Sequence, residues 1–279
     1  MKIAIVGTGA IGSTFAFQLA NVGHDVTVVA RGARLAQLER DGAIVTTSGE
    51  RAPVTVAAAL DEHIPFDLVL VSVLAPQVAA VLPALRASAA QTIMFMFNTF
   101  EDLAPLRAAV GAERFTFGFP RGVFTLLEEG RIRATIRHGT TVNARAWADV
   151  FGSAGIPTVV DDDMQSWLRS HAALVAPLMS MSVVALVRQV GWREAARYAD
   201  AFHAGVRIVR ALGNDLRPRS TALLARLPRF VLTLLLFLMS RTQTIRDLGR
   251  LGTAEPRMLI DMMQAAIPEL AAPLVAVRP

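Results

Sequence analysis

MKIAIVGTGAIG, residues 1–12, decides how the rest of the chain is read. Its first half is a short β-branched apolar run. Its second half is G-x-G-x-x-G, with glycines at Gly7, Gly9 and Gly12. A strand that runs into this pattern and then opens a helix is the signature of a dinucleotide-binding turn. Gly7 permits the tight turn, Gly9 lets the backbone approach a pyrophosphate, and Gly12 lets helix and strand pack closely. The loop Gly7, Thr8, Gly9, Ala10, Ile11 and Gly12 then meets the phosphates with the N–H groups and positive dipole end of the helix. An ordinary glycine turn is the alternative reading.

Outward from this loop, STFAFQLANVG (13–23) has helical spacing with Gly23 as its C-cap. HDVTVVA (24–30) reads as a second strand, DLVLVSV (67–73) and TIMFMF (92–97) as two more, and APQVAAVLPALRASAA (75–90) as a helix. Strands alternating with helices define a parallel sheet with helices on both faces. Between 114 and 143 the strands shorten, with turns at 128–130 and at His138 and Gly139, and read as antiparallel additions. ARAWADVFGSAG (144–155) reads as a helix, IPTVVDDD (156–163) as the last strand and exit, and everything from Met164 as helical. The expected fold class is α/β, an N-terminal Rossmann-type parallel sheet with antiparallel additions, followed by an all-α C-terminal domain. Placing the boundary at Asp163 gives a dinucleotide-binding domain (1–163) and a helical substrate and dimerisation domain (164–279).

Composition narrows the function. The 279 residues are 53% hydrophobic and 18% charged, which excludes disorder and leaves material for two cores. There is no cysteine, so disulfides, thiolate metal sites and thiol catalysis are excluded, and a reducing cytoplasmic location is compatible. Lys2 is the sole lysine, so 27 of the 28 basic residues are arginines. They are spread along the chain rather than gathered in a stripe, which argues against a nucleic-acid partner. The stretch before Gly7 is too short for the apolar core of a signal peptide. FVLTLLLFLM (230–239) is the most apolar segment; its length falls short of the roughly 20 residues that span a bilayer. It reads as a buried helix, with a dimer-forming helix as the alternative, and no membrane partner is expected. His24, His63, His138 and His203 lack metal-ligand spacing, and no metal is expected. GxSxG is absent, so serine hydrolysis lacks its usual elbow.

The end of the second strand discriminates between cofactors. A carboxylate there would accept from both ribose hydroxyls and favour NAD. This chain has Arg31, followed by Gly32, Ala33 and Arg34. Arg31 can meet a 2′-phosphate with a charge-assisted fork, and Arg34 can add to it. NADP(H) is therefore expected as the cofactor; two solvated surface arginines are the bland alternative.

These stretches, with LVLVSVLAPQV (68–78), Asn98, SWLRSHAALVAPL (166–178) and RDLGRLGTAEPRML (246–259), make the chain resemble the ketopantoate reductase (2-dehydropantoate 2-reductase) family over nearly its whole length. The resemblance implies a Rossmann domain and a helical domain with NADPH and substrate in the cleft between them. It also implies reduction of a 2-oxo acid to the 2-hydroxy acid. Such a reaction must stabilise and protonate the carbonyl oxygen. The family uses a lysine in a W-x-K pattern, an asparagine one turn later, a glutamate near the C-terminus, and a second lysine near the cofactor.

This chain departs from that set. Leu74 stands at the second lysine position, Arg169 at the W-x-K lysine, and Ala173 at the asparagine. Asn98 matches the family asparagine at the cleft, with Thr99 in place of the usual glycine, and is also expected beside the cofactor. Glu255 matches the glutamate, with Asp247 upstream as a second fit. The substrate-binding serine aligns near Gln243, between Thr242 and Thr244. Arg169 stays charged at neutral pH and can hold an oxyanion or carboxylate, whereas His171, with an unperturbed pKa near 6.5, is the better acid. Two positions apart, they do not share a helix face. The expected catalytic set is His171, Arg169, Glu255 and Asn98. A histidine bonded to the acids at 161–163 and a glutamate that serves only the helix start are the structural alternatives. The functional expectation is an NADPH-dependent oxidoreductase acting on a small carbonyl compound, a 2-oxo acid or more apolar ketone, with a homodimer as the candidate assembly. The alternative is a catalytically silent NADP(H)-binding sensor or regulator.

Overall fold

Strand β1 (Lys2–Val6) is apolar on both faces, and Ile3, Ala4 and Ile5 have no exposed surface, as the centre of a parallel sheet requires. The chain continues through α1 (Ala10–Asn21), β2 (Asp25–Val29), α2 (Gly32–Asp41), β3 (Ala43–Val45), β4 (Arg51–Pro53), β5 (Thr55–Ala57) and β6 (Leu68–Val71). Then come α3 (Val78–Ala87), β7 (Ile93–Phe95), α4 (Ala104–Val110), β8 (Phe115–Phe119), β9 (Val123–Glu128), β10 (Arg131–Ile136), β11 (Thr140–Val142), α5 (Arg145–Ser153) and β12 (Thr158–Val160). The remainder is helical: α6 (Met164–Val187), α7 (Trp192–Ala211), α8 (Arg219–Leu224), α9 (Arg229–Met239), α10 (Gln243–Gly249), α11 (Ala254–Ala266) and α12 (Ala272–Val275). This computed structural model describes residues 1–137 and 139–279; His138, at one of the expected turns, lies outside the described residues.

The main sheet has the order β12-β11-β8-β7-β6-β1-β2-β5. The six strands from β5 to β8 run parallel, β11 is antiparallel to β8, and β12 is parallel to β11. The architecture is thus the expected parallel sheet with antiparallel additions and a helical C-terminal part. Helix α1 begins at Ala10, three residues before the expected start, so the last glycine of the loop lies inside it. Helix α2 and the short strands β3, β4 and β5 have no counterpart in the sequence reading. Each of those strands has three residues, too few for alternation to register.

Alternate strand residues serve a core shared with α1 and α5. Ile3, Ile5, Leu68 and Leu70 pack with Phe15, Leu19, Trp147 and Phe151. The rings of Phe15 and Phe151 meet edge to face at 5.1 Å. The β9–β10 hairpin turns at Glu129 and Gly130, whose φ values of 48° and 78° are those of a two-residue turn matched to strand twist. It rests on α1 through buried Ile132 and a 2.8 Å hydroxyl contact between Thr125 and Thr14.

Backbone contacts divide the chain into two units, Met1–Phe97 with Leu103–Met164, and Asn98–Asp102 with Gln165–Pro279. The segment Asn98–Asp102, inside the first domain of the sequence reading, therefore belongs with the helices. Its anchor is Phe100, 1% exposed in the helical core. In that core α6 and α7 approach closely: a Cβ added at Gly205 would lie 2.9 Å from the Ala173 Cβ. Helix α6 has the length and composition of a bilayer span, and 56% of its most apolar window is buried inside the protein, as in the core helix of a globular unit. The expectation that 230–239 is a buried helix is corrected. Only Leu232, Thr233 and Leu236 of α9 are buried, while Phe230, Leu234, Leu235, Leu238 and Met239 are exposed. Residues four apart face one neighbour, and α9 packs chiefly on α7.

Arg114 closes two helices at once. Its guanidinium donates to the carbonyl oxygens of Val110 at the end of α4 and of Arg86 and Ser88 at the end of α3. A cation there satisfies carbonyls without helical partners and opposes the dipole. Arg114→Ala is expected to cost about 2 kcal/mol in urea unfolding, whereas Arg107→Ala, at an exposed position on α4, stays within about 0.5 kcal/mol.

Candidate cofactor loop and substrate site

The glycine loop is built by close backbone approach. Gly7 has φ +99°, and a Cβ there would lie 2.8 Å from the backbone nitrogen of Val73 and from its Cγ1. A Cβ on Gly12 would overlap the Gly7 carbonyl oxygen and crowd the Ser72 hydroxyl, which donates to that carbonyl at 2.7 Å. Gly9 differs: nothing lies within 4 Å of its Cβ position, its φ is −72°, and it is exposed. Packing therefore explains Gly7 and Gly12 but not Gly9. Gly9 is also the N-cap of α1, with no side-chain cap and no acid in the first turn. The leading N–H groups of a twelve-residue helix are thus left beside an open glycine.

Arg31 caps the start of α2 in extended backbone conformation, its carbonyl accepting from the Leu35 N–H at 3.3 Å; it is exposed, and its guanidinium makes no hydrogen bond or ion pair to the described residues. Arg34 is committed elsewhere. Its Nε donates to the Thr8 carbonyl at 3.1 Å, one Nη to the Gly130 carbonyl at 2.6 Å and Gln37 at 2.9 Å, and the other to Ser13 Oγ at 2.8 Å. Burial draws its pKa down, partly offset by Asp41. The expected second phosphate ligand is instead a brace between the glycine loop and the hairpin turn.

In the helical unit, Asn98 and Glu255 meet across 157 residues of sequence, with Asn98 Nδ2 donating to Glu255 Oε1 at 2.6 Å. The acceptor-only carboxylate fixes which end of the amide faces it. Asn98 Oδ1 is buried without a hydrogen-bond partner among the described residues. Arg169, half-buried, donates from Nε to the Phe100 carbonyl at 3.1 Å and from Nη1 to Asn214 Oδ1 at 2.6 Å, and lies 5.6 Å from the Phe100 ring centre. Burial lowers its pKa, against the opposing pull of Asp102. His171 lies flat on Trp167, ring centres 5.1 Å apart and planes 13° apart. Trp167 itself is buried.

The remaining positions resolve individually. Leu74 is 61% exposed. Ala173 is buried where the α7 backbone comes closest, which leaves no volume for an asparagine. Gln243 donates to Asp247 at 2.9 Å along α10, and Thr242 caps that helix, so the polar groups near the expected serine serve α10 locally. Asn214, which accepts from Arg169 and donates to Ser166, gave no sequence signal beyond a helix end after Gly213. A cavity of about 410 Å³ on α7 and α12, lined by Arg197, Asp200, His203, Arg207, Pro273 and Ala276, contains none of the expected site residues.

A glycine-turned parallel sheet followed by a helical unit is the architecture of a class of Rossmann-type oxidoreductases. A family model, ketopantoate reductase PanE/ApbA, matches residues 3–147, more than half of the chain, and the chain belongs to that family. Among solved structures, the PanE/ApbA family ketopantoate reductase from Ralstonia eutropha JMP134 is 23% identical, covering 100% of this chain and 97% of its own, with a TM-score of 0.76. The 2-dehydropantoate 2-reductase from Geobacter metallireducens GS-15 is 16% identical, covering 100% and 98%, with a TM-score of 0.77. D-mandelate dehydrogenase in complex with NADH is 15% identical, covering 100% and 97%, with a TM-score of 0.73. At these identities the likeness is one of fold. No curated protein sequence matches the chain.

The three glycines are separable by stability. Gly12→Ala is expected to cost about 1–3 kcal/mol through overpacking, while Gly9→Ala, in open space, is expected to cost no more than the N-cap preference of glycine over alanine, about 0.5–1 kcal/mol, in the same unfolding assay.

Proposed function

We propose that the chain is an NADP(H)-dependent oxidoreductase that reduces a small carbonyl compound, a 2-oxo acid or a more apolar ketone, to the alcohol. The observation that carries this reading is Gly9, whose Cβ position opens into empty space beside the leading N–H groups of α1, which no side chain caps. Close approach of a pyrophosphate needs that space, because a Cβ would stand in its place. The loop residues Gly7 to Gly12 hold the diphosphate, and the exposed, uncommitted Arg31 holds the 2′-phosphate. Bound nicotinamide supplies the electrons for the carbonyl carbon.

The rest of the chemistry falls to side chains. Asn98 turns its second Nδ2 hydrogen to the reacting oxygen, and the acceptors Glu255 and Asn98 Oδ1 take the hydroxyl hydrogen once that oxygen is protonated. His171, the imidazole on α6, delivers the proton. An exposed Leu74 and a buried Ala173 where the family has a lysine and an asparagine support a substrate with an apolar substituent. In the same direction, D-mandelate dehydrogenase has a solved ternary structure with NADH and anilino(oxo)acetate.

Calorimetric titration tests the cofactor assignment. NADPH is expected to bind more tightly than NADH. Arg31→Ala should lose about tenfold or more in NADPH affinity with NADH nearly unchanged, because a charge-assisted contact is removed. Gly9→Ala should weaken both, and NADH binding tighter than NADPH in the parent would overturn the choice of cofactor. Steady-state NADPH oxidation across 2-oxo acids of increasing apolar bulk tests the reaction. His171→Ala is expected to lower kcat about a hundredfold or more; unaltered turnover would remove His171 as the acid.

A further inference from the structure

We propose that Arg169, at the position where the family resemblance puts a reacting lysine, is a positioning residue that holds the segment carrying Asn98 rather than a group that touches substrate. This deepens the functional reading above and rests on its assignment of Asn98 and Glu255 to the reacting oxygen.

The first turns of α6 work as a clamp. Gln165 donates to the Glu101 carbonyl at 2.9 Å and Arg169 to the Phe100 carbonyl at 3.1 Å, so two consecutive carbonyls of Asn98–Asp102 are held from one helix. The guanidinium also lies against the Phe100 side chain, fixing the residue whose ring is buried in the helical core. On its other side the same fork is seated by Asn214, which is itself tied to Ser166 on α6. Ser170 continues the attachment, donating to the Asp215 carbonyl and accepting from the Arg217 N–H at 3.0 Å. At the far end of the pentapeptide, Asn98 reaches Glu255 and the Thr99 hydroxyl lies 3.9 Å from Met262 Sδ, both on α11. The segment is thus held between α6 and α11, with Asn98 at 2.6 Å from Glu255 two residues before the buried Phe100.

An arginine suits this task better than a lysine. Its planar fork satisfies a carbonyl and an amide oxygen in fixed directions at once, while an ammonium on a flexible stem is a point charge. Its face of α6 also carries Ala173, packed at the closest approach to α7.

The test reads the segment directly. Hydrogen–deuterium exchange of a peptide covering 98–102 is compared in the parent, Arg169→Ala, Arg169→Lys and Asn214→Ala, with a buried α7 peptide as control. Exchange is expected to rise about tenfold or more in Arg169→Ala, less in Asn214→Ala, with the α7 peptide unchanged. Where a substrate is turned over, Asn214→Ala should reproduce much of the Arg169→Ala loss, and the double variant should lose less than the sum. Arg169→Lys should not restore activity, and the pH profile should keep its shape. Unchanged exchange in Arg169→Ala, or full activity in Arg169→Lys, would overturn the proposal. Exchange that responds as expected in a protein that reduces no carbonyl would uphold the clamp and sink the functional reading instead.

Discussion

The first unit hangs on one steric condition, the near-contact of the Gly12 α-carbon with the carbonyl of Gly7. That carbonyl also accepts from Ser72 just beyond β6, so one backbone oxygen joins the ends of two adjacent strands to the first turn of α1. The crowding lets Phe15 and Leu19 reach the sheet and fuse with Trp147 and Phe151 into a single core. Packing therefore forbids a side chain at Gly12, inside the helix, and leaves room for one at Gly9, its N-cap.

What the sequence disclosed follows from how local each cause was. Glycines required by close approach, and strands buried on both faces, leave marks within a few residues. The parallel sheet, its antiparallel additions and the helical second part were legible for that reason. Strands of three residues leave no period. Segment 230–239 misled because its composition is apolar all round while only Leu232 and Leu236 of its leucines are covered. Arg34 shows the limit for sites. Residue type and place fitted a phosphate ligand, but three carbonyl and hydroxyl oxygens from separate parts of the chain claimed it. Asn98 and Glu255 became site candidates separately, through family resemblance; their contact was not legible, since nothing local links residues 157 positions apart.

The departures from the family's residues share a physical thread. An alanine stands where α6 and α7 touch through Gly205, an arginine where a fork takes one backbone carbonyl and one amide oxygen, and a leucine where a strand exits to solvent. Each exchange removes an amine or amide from the family's reactive set. What persists is an amide and a carboxylate in contact, with the amide's own acceptor left over.

The membership of Asn98–Asp102 in the helical unit makes the protein's halves interdependent in time. These five residues leave the ribosome far ahead of α6 and α11, which supply their contacts. Neither half of the chain is a cassette: a fragment starting at Gln165 would carry Glu255 without its amide and Arg169 without its carbonyl. An insertion or recombination point chosen by sequence at the start of α6 would separate groups that lie a hydrogen bond apart. The chain has thereby acquired a topological lock on its own modularity, in which five residues from the sheet-forming half complete the helical one.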